Sequence, residues 1–333
     1  MRLAFSHAIE VKGGVSRKLK IGIIGAGVFG RYHAGKCMNH PNIDLIGIYD
    51  HNYKRSVDVG RQHKTKGYKT FKSLLNDIEA LIIASPAQSH GTFAITALKS
   101  GVHCLIEKPI AASLSEAAEI VRLAKDEKLS VQIGHQERFV MKAIGLDTVV
   151  ESPTSIRGYR MGPYSPRGTD VSVTLDLMTH DLDLLIMLMD ETPSKILGHP
   201  MKVKSETFDA SLGLIEFSSG TQVRLHASRA EESSRRVMDI TYPSGNVSVD
   251  FNAKTVTHNT PFDLNLDFAS DPHARDSLGA ATNAFVQAIL DGKPVPVTAE
   301  DGYKALEMAL IIDRGTVWKR PKAEKPKAEK EDL

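Results

Sequence analysis

Short, mostly apolar runs recur along the first part of the chain, and stretches of mixed polarity separate them. The runs fall at residues 21–24, 43–49, 80–84, 102–106 and 130–133. Runs of this length are typical of parallel strands that helices cover on both faces. Residues 19–133 are therefore predicted to form one α/β domain with a parallel sheet.

One of these runs, at residues 102–106, ends abruptly in Glu107, Lys108 and Pro109. A proline cannot donate to a strand ladder, so the strand ends there and holds Glu107 and Lys108 at its carboxyl end. Ligands bind at the carboxyl ends of strands in open parallel sheets, which makes Lys108 a candidate for chemistry. A solvated surface lysine is the alternative, and these residues alone leave both interpretations open.

A glycine-rich turn follows the first strand and precedes a predicted helix at residues 31–39. In such a turn Gly25 permits the sharp bend, Gly27 lets the backbone approach a pyrophosphate, and Gly30 lets the helix pack on the strand. The order of strand, turn, helix and strand predicts a dinucleotide site. Its expected residues are Gly25, Gly27, Val28, Phe29, Gly30 and Asp50.

Asp50 stands at the end of the second strand. Its carboxylate is expected to accept hydrogen bonds from a ribose and to repel a 2′-phosphate, which favours NAD over NADP as the cofactor. His51, Lys54 and Arg55 follow closely and weaken that preference.

Beyond residue 134 the apolar positions alternate with polar ones. The predicted strands lie at residues 155–161, 207–217, 221–228, 236–242 and 246–251, with hairpin turns at 218–220 and 243–245. This pattern predicts an open, mostly antiparallel sheet. Helices are predicted at residues 175–189, 275–290 and 300–317, and the last is expected to return to the first domain.

The predicted organisation has four parts. Residues 1–18 form a flexible extension, 19–133 a Rossmann NAD-binding domain, and 134–318 an α+β substrate-binding and oligomerisation domain. Residues 319–333 form a disordered charged tail, because its repeated Pro-Lys-Ala-Glu-Lys sequence buries too little apolar surface to fold.

A second group of polar residues opens the helix predicted at 175–189. Asp176 and His180 are four residues apart and would share one face of an α-helix, where the carboxylate orients the imidazole as a general base. The alternative is an acidic helix start that complements the helix dipole. A metal site at Asp176, His180 and Asp183 is not favoured, because no further ligand pattern accompanies it.

The loop before that helix contains Arg160, Tyr164 and Arg167 among glycines and prolines. Guanidinium groups suit phosphates, but an ordinary solvated loop has the same composition. The loop alone does not decide between these interpretations.

Composition excludes several classes of partner. Lys and Arg number 42 against 40 Asp and Glu, for a net charge of +2, which favours neither nucleic acid nor a membrane surface as a partner. Cys37 and Cys104 have no metal-ligand spacing and are expected to be free thiols, which suits a reducing cytoplasm. We find no secretory signal and no run long enough to span a membrane, so a cytoplasmic protein is expected.

Together these motifs resemble the Gfo/Idh/MocA oxidoreductases. The resemblance rests on the glycine turn, Ala84-Ser85-Pro86 with His90, Glu107-Lys108-Pro109, and Asp176 with His180, and it covers nearly all of residues 19–318. It implies an NAD(P)-binding Rossmann domain and a second domain that shapes a sugar site and forms a homodimer or homotetramer. The further cofactor-binding residues it implies are Ser85, Pro86, His90, Glu107, Lys108 and Gln136.

Residues 169–175 replace a glycine pair that many members of the family carry. With Arg160-x-Gly162-Pro163, Pro166-Arg167-Gly168 and Asp181, this segment resembles the branch that acts on UDP-N-acetylglucosamine. Members of that branch oxidise the sugar 3-hydroxyl to a ketone, ahead of an aminotransferase that makes a 2,3-diamino sugar for lipid A. A nucleotide sugar is thus the expected substrate.

The resemblance implies that Lys108, Asp176 and His180 are the catalytic residues. We expect His180 to remove the hydroxyl proton, Asp176 to orient the imidazole, and Lys108 to stabilise the oxygen or itself act as the base. The same three residues would contact the substrate, together with Arg138, Arg160, Tyr164 and Arg167.

Two rival functions remain. Another sugar or polyol dehydrogenase would share the family motifs without needing the arginine-rich loop. A non-catalytic dinucleotide sensor would keep the glycine turn but would not require Lys108 or His180, and the presence of both counts against it.

Overall fold

The first sheet is built from six parallel strands in the order β3-β2-β1-β4-β5-β6. The structure is a computed structural model that describes residues 17–321 except Arg167 and Asp190. The strands are β1 (Leu19–Ile24), β2 (Ile43–Tyr49), β3 (Lys66–Tyr68), β4 (Ala80–Ile83), β5 (His103–Ile106) and β6 (Val131–Ile133). The helices between them are α1 (Val28–Met38), α2 (Tyr53–Gln62), α3 (Phe71–Leu75), α4 (His90–Leu98) and α5 (Leu114–Asp126). The strand order reverses between β1 and β4, and ligands bind at such a reversal in open sheets.

The predicted Rossmann arrangement of this half is confirmed. Strand β5 is buried from Cys104 to Ile106, as its apolar run predicted. Strand β3 was not predicted, because of its three residues only Tyr68 is buried and the pattern is too short to read.

The second sheet has eight strands in the order β13-β12-β11-β7-β10-β9-β8-β14. Its strands are β7 (Ser155–Met161), β8 (Pro193–Met201), β9 (Ala210–Phe217), β10 (Gln222–Ser228), β11 (Arg235–Tyr242), β12 (Gly245–Asp250), β13 (Thr255–His258) and β14 (Val317–Lys319). The helices are α6 (Glu137–Ile144), α7 (Thr179–Leu188), α8 (Pro272–Arg275), α9 (Ser277–Asp291) and α10 (Ala299–Asp313), and a π-helical turn, Thr174–Met178, precedes α7. The sheet is mixed, because β7 and β10 run parallel while the other pairs are antiparallel.

Several predicted boundaries in this half need correction. The helix predicted at 300–317 ends at Asp313, and the chain then forms β14 beside β8. Lys319 thus belongs to the sheet, although the predicted tail begins there. Strand β8 was not predicted, since prolines at 193 and 200 argue against a strand, and here they lie near its two ends. The predicted extension up to residue 16 and the tail from residue 322 lie outside the described residues.

Helix α10 connects the two sheets. Ile133 at the end of β6 donates its backbone N–H to Val297 just before α10, at 3.1 Å. Gly302 lies against Ile110 and Ile133, and Ile312 at the other end lies against Gly198 of β8. Residues from both halves join α10 in one large buried apolar cluster.

Across residues 17–321, with the two gaps noted, no helix has the length and apolar character to cross a membrane. The same residues include no group of three or more His, Cys, Asp or Glu side chains placed to hold a metal ion. Cys37 and Cys104 are buried free thiols.

Candidate active site

A cleft of about 640 Å³ lies at the carboxyl ends of β1, β4 and β5, between the two domains. The first domain contributes the start of α1 and the loops after β4 and β5, and the second contributes the π-helical turn and α7. The predicted site residues that line the cleft are Val28, Phe29, Ser85, Pro86, His90, Glu107, Lys108, Gln136, Asp176 and His180. The fold thus brings residues from distant parts of the sequence to one place.

The glycine turn has the shape that a pyrophosphate requires. Gly25 has a φ of +93°, and a Cβ there would lie 2.4 Å from the Ala84 carbonyl oxygen. A Cβ on Gly30 would lie 1.7 Å from the Gly25 carbonyl oxygen, so the turn and α1 touch directly. A Cβ on Gly27 would meet no atom within 4 Å, which leaves open space at the start of α1. A helix N-terminus with open space before it suits an anionic phosphate, so these residues fit a bound dinucleotide.

Asp50 is buried beside this turn. Its carboxylate accepts hydrogen bonds from the backbone N–H groups of Ala26 at 2.8 Å and Asn52 at 2.9 Å. The Arg55 guanidinium lies 3.9 Å from the same carboxylate. Asp50 therefore fixes the turn, and its predicted contact with a ribose stays a prediction.

His90 connects two loops that line the cleft. Its ring is buried, with Nε2 2.8 Å from the Ser85 carbonyl oxygen and Nδ1 2.8 Å from the Pro109 carbonyl oxygen. The loops after β4 and β5 are thereby held together on the first-domain side of the cleft.

Glu107 is buried at the floor of the cleft. Its Oε1 lies 2.8 Å from Nε2 of His33 and accepts a hydrogen bond from Gln136 at 3.3 Å. Burial alone would raise the pKa of Glu107, but the His33 hydrogen bond and the Lys108 charge lower it overall. His33 was not predicted, because nothing in the pattern of α1 marks one buried residue as a hydrogen-bond partner.

Lys108 pairs with Asp176 across the cleft. Its Nζ donates to Oδ1 of Asp176 at 2.9 Å and to the Asp176 backbone carbonyl oxygen at 2.6 Å. Gly168 closes the other side of this carboxylate, since a Cβ there would lie 2.6 Å from Asp176 Oδ2.

The expectation that Asp176 orients His180 is therefore corrected. Asp176 lies in the π-helical turn, where the Thr179 N–H reaches the Thr174 carbonyl oxygen five residues back. Residues four apart do not stack in such a turn as they do in an α-helix. The carboxylate turns towards Lys108 instead.

His180 lines the cleft, and its Nδ1 is buried with no hydrogen-bond partner among the described residues. Burial, together with the positive charges of Lys108 and Arg160, holds the pKa of the imidazole well below its ordinary value of 6.5. The ring is therefore neutral at pH 7. With Nδ1 buried, Nε2 is the nitrogen available to a ligand in the cleft.

Two arginines that were expected to bind substrate are paired with acids in the structure, and their contact with a substrate stays a prediction. Arg160 is buried and donates to Asp181 at 2.8 Å and to Glu137 at 2.6 Å, with a second bond to the other Glu137 oxygen. Burial raises the pKa of Asp181 to about 6 even with Arg160 beside it.

Arg138 likewise makes two bonds to Asp183, at 2.7 and 2.9 Å, and one to Asp301 at 3.2 Å. Sequence showed these charges but not their partners, which only the tertiary structure brings together.

The remaining residues of the expected substrate set are on or near the loop that follows β7. Tyr164 is exposed, and the Lys204 ammonium lies 5.8 Å from its ring centroid. Arg167 lies outside the described residues. Arg236 of β11 lines the cleft but was not predicted, although the alternation of β11 points it to the same face as buried Met238.

The geometry of the cleft suits alcohol oxidation. A dinucleotide cradle lies beside a lysine that is fixed by a carboxylate and a histidine that is neutral at pH 7. One group can donate to an oxygen while the other accepts its proton.

Comparisons with known proteins agree with this arrangement. A family model described as "Oxidoreductase family, NAD-binding Rossmann fold" (Gfo/Idh/MocA) matches residues 19–135. The chain is 31% identical over 303 residues to a UDP-N-acetylglucosamine 3-dehydrogenase of Acidithiobacillus ferrooxidans, across 88% of this chain and 96% of that enzyme.

Solved structures are similar over the same span. The A. ferrooxidans UDP-N-acetylglucosamine 3-dehydrogenase GnnA matches with a TM-score of 0.82 at 29% identity, covering 90% of this chain and 98% of that one. A levoglucosan dehydrogenase in complex with NADH and levoglucosan shares the fold, with a TM-score of 0.80 at 18% identity and coverage of 92% and 100%.

Proposed function

We infer that this chain, which belongs to the Gfo/Idh/MocA oxidoreductase family, is a dehydrogenase that oxidises the 3-hydroxyl group of a nucleotide sugar. The proposed substrate is UDP-N-acetylglucosamine, and the product is its 3-keto derivative. The observation that carries this proposal is the similarity to the A. ferrooxidans enzyme along 96% of that enzyme's length. Such a ketone is a substrate for transamination to a 2,3-diamino sugar of the kind found in lipid A.

Bound NAD would supply the hydride acceptor. The residues proposed to hold it are Gly25, Gly27 and Gly30 at the turn, with Ser85 and Pro86 on the facing loop. We propose NAD rather than NADP, because the buried Asp50 carboxylate beside the turn disfavours a 2′-phosphate. A KM for NADP equal to or below that for NAD would contradict this preference.

His180 is the proposed base, because a neutral imidazole can accept the hydroxyl proton. The Lys108 ammonium group has three N–H donors. Two of them are used in the hydrogen bonds to Asp176, one to the backbone carbonyl oxygen and one to Oδ1. The third remains for the substrate oxygen, where it stabilises the negative charge that develops as the proton leaves. Asp176 thus positions Lys108.

The test uses purified protein, NAD and UDP-N-acetylglucosamine that carries deuterium at C3. We expect deuterium in the NADH, detected by mass spectrometry, with a carbonyl trap added to remove the ketone. The same sugar labelled at C4 is the matched control and should give unlabelled NADH. Oxidation of myo-inositol or a free hexose, with no NADH from any nucleotide sugar, would favour another sugar or polyol dehydrogenase.

We also propose that two copies of the chain associate through the uncovered face of the second sheet. Leu197, Leu212 and Leu214 form a half-buried apolar patch there, with Glu216 on the same strand and Arg224 beside Leu214. Charges of both signs beside an apolar patch suit a two-fold contact, in which each patch meets its own copy. Light scattering should give a homodimer or homotetramer, and a monomeric mass would contradict the proposal.

A further inference from the structure

A side cavity beside the cleft is lined by Arg160, Arg229 and Arg236, and Arg138 follows the cleft-lining residue Glu137 in the sequence. Three of these four arginines are already engaged. Arg138 and Arg160 are held by the carboxylates described above. Arg229 is buried and donates to Asp209 at 3.0 Å, to the Gly168 carbonyl oxygen at 2.6 Å and to further acceptors. All three guanidinium groups are therefore already paired with acids inside the protein.

Arg236 differs from the other three. It is exposed, and no carboxylate among the described residues pairs with its guanidinium. It lies opposite Arg160 in the β7–β11 ladder, on the face of the sheet that meets the cleft. A forked donor on a rigid strand is therefore available to a ligand in the cleft.

A side cavity of about 260 Å³ adjoins the cleft at this point. The two spaces share Asp176, Leu177 and Arg236 as lining residues. The rest of the side cavity is lined by Arg160, Met161, Gly162, Pro163, Ser165, Arg229 and Ser234. Asp176 is its one acidic lining residue among those described, and Lys108 neutralises that carboxylate. Arg160 and Arg229 are paired with acids, so among the described lining residues Arg236 supplies the uncompensated positive charge of the side cavity, beside the hydroxyl groups of Ser165 and Ser234.

We propose that this side cavity binds the diphosphate group of the nucleotide sugar and that Arg236 is its principal ligand. The inference rests on the proposed function, and it names the part of the site that recognises the nucleotide. A sugar in the cleft near Lys108 and His180 then has its diphosphate beside Leu177 and Arg236. Guanidinium groups bind phosphate oxygens through paired, charge-assisted hydrogen bonds.

The experiment compares Arg236→Gln with Arg235→Gln. Arg235 is the preceding residue on β11, its side chain is on the opposite face, and its guanidinium lies 3.8 Å from the Tyr159 ring centroid. Because the substitution removes charge-assisted hydrogen bonds to the diphosphate, the KM of Arg236→Gln for UDP-N-acetylglucosamine should rise roughly 10- to 100-fold. The KM for NAD should stay within about twofold of wild type, and Arg235→Gln should match wild type in both constants. An unchanged KM for the nucleotide sugar in Arg236→Gln would overturn the inference.

Calorimetric titration of UDP into the NADH-bound protein separates this inference from the proposed function. Wild type should bind UDP, and Arg236→Gln should bind it at least about tenfold more weakly. If UDP binding weakens in this way but no nucleotide sugar is oxidised, the proposed function is wrong and the diphosphate site is supported. If UDP-N-acetylglucosamine is oxidised but wild type and Arg236→Gln bind UDP equally well, the proposed function is supported and the diphosphate site is wrong. Absence of UDP binding to wild type would overturn the diphosphate site directly.

Discussion

The Arg160→Gln variant separates a structural role for this arginine from the substrate-binding role that the sequence predicted. The substitution removes the guanidinium from between two acids, Asp181 and Glu137, and leaves both without their cation. Asp181 is fully buried, and its Oδ2 has no hydrogen-bond partner among the described residues. Its charge then has no compensation in the interior.

Removal of one partner from a buried ion pair costs about 3–5 kcal/mol, because the remaining charge stays out of water. For a domain of this size, 1 kcal/mol corresponds to roughly 2–4 °C in Tm. We therefore expect Arg160→Gln to lower the Tm by about 6–20 °C at pH 8.

The loss should depend on pH in a defined direction. The pKa of Asp181 is raised to about 6 in the folded protein from an ordinary value of 3.8, so its ionisation destabilises the fold as the pH rises through 6. Arg160 lowers the pKa of Asp181, so this pKa should be higher still in the variant. At pH 5 the carboxyl is largely protonated in both proteins, and the difference in Tm should be smaller than at pH 8.

Differential scanning calorimetry at both pH values measures these shifts. Arg236→Gln is the matched control, since it removes an exposed arginine from the adjacent strand position and should leave the Tm within about 2 °C of wild type. A Tm for Arg160→Gln within 2 °C of wild type, combined with a raised KM for the sugar, would refute this reasoning and restore the substrate role.

Three further predictions address the cofactor and the chemistry. Lys108→Ala and His180→Ala should still bind NADH in a fluorescence titration but lose about 100-fold or more in turnover, and wild-type rates in both would exclude the mechanism. The value of kcat/KM should rise with pH, and the midpoint of this rise should lie below pH 6.5, because the base must be neutral His180 and its pKa is lowered. A midpoint above pH 6.5 would contradict this assignment. Gly27→Ala should weaken NAD binding at least about tenfold and leave the Tm of the cofactor-free protein unchanged. The Cβ of Gly30→Ala would overlap a carbonyl oxygen, so this variant should have both a lower affinity for NAD and a lower Tm. Equal Tm values for the two variants would show that the turn adapts.

Local patterns predicted the position of Lys108 but not its partner. Its place follows from an apolar run that ends at a proline, and the structure puts it at the carboxyl end of β5. The pairing with Asp176 depends on a π-helical turn, which a spacing rule for α-helices does not anticipate.

The arginines show the same limit. A guanidinium that binds phosphate and one that neutralises a buried acid have the same sequence signature. Asp181 and Asp183 were visible beside His180, but their contacts with Arg160 and Arg138 join residues 21 and 45 positions apart. Arg236 becomes a candidate for phosphate binding only because the structure shows that Arg160 and Arg229 are paired with carboxylates.

The position of α10 has a consequence for how the chain is made. Leu306, Ala309 and Ile312 of this helix are almost completely buried, and the helix supplies core to both domains. It is synthesised after all six strands of the first sheet and after β7–β13 of the second. The β6 edge around Ile133 and the surface around Gly198 therefore stay uncovered until α10 has been synthesised. The first domain precedes the second in translation, yet both complete their cores only when α10 emerges.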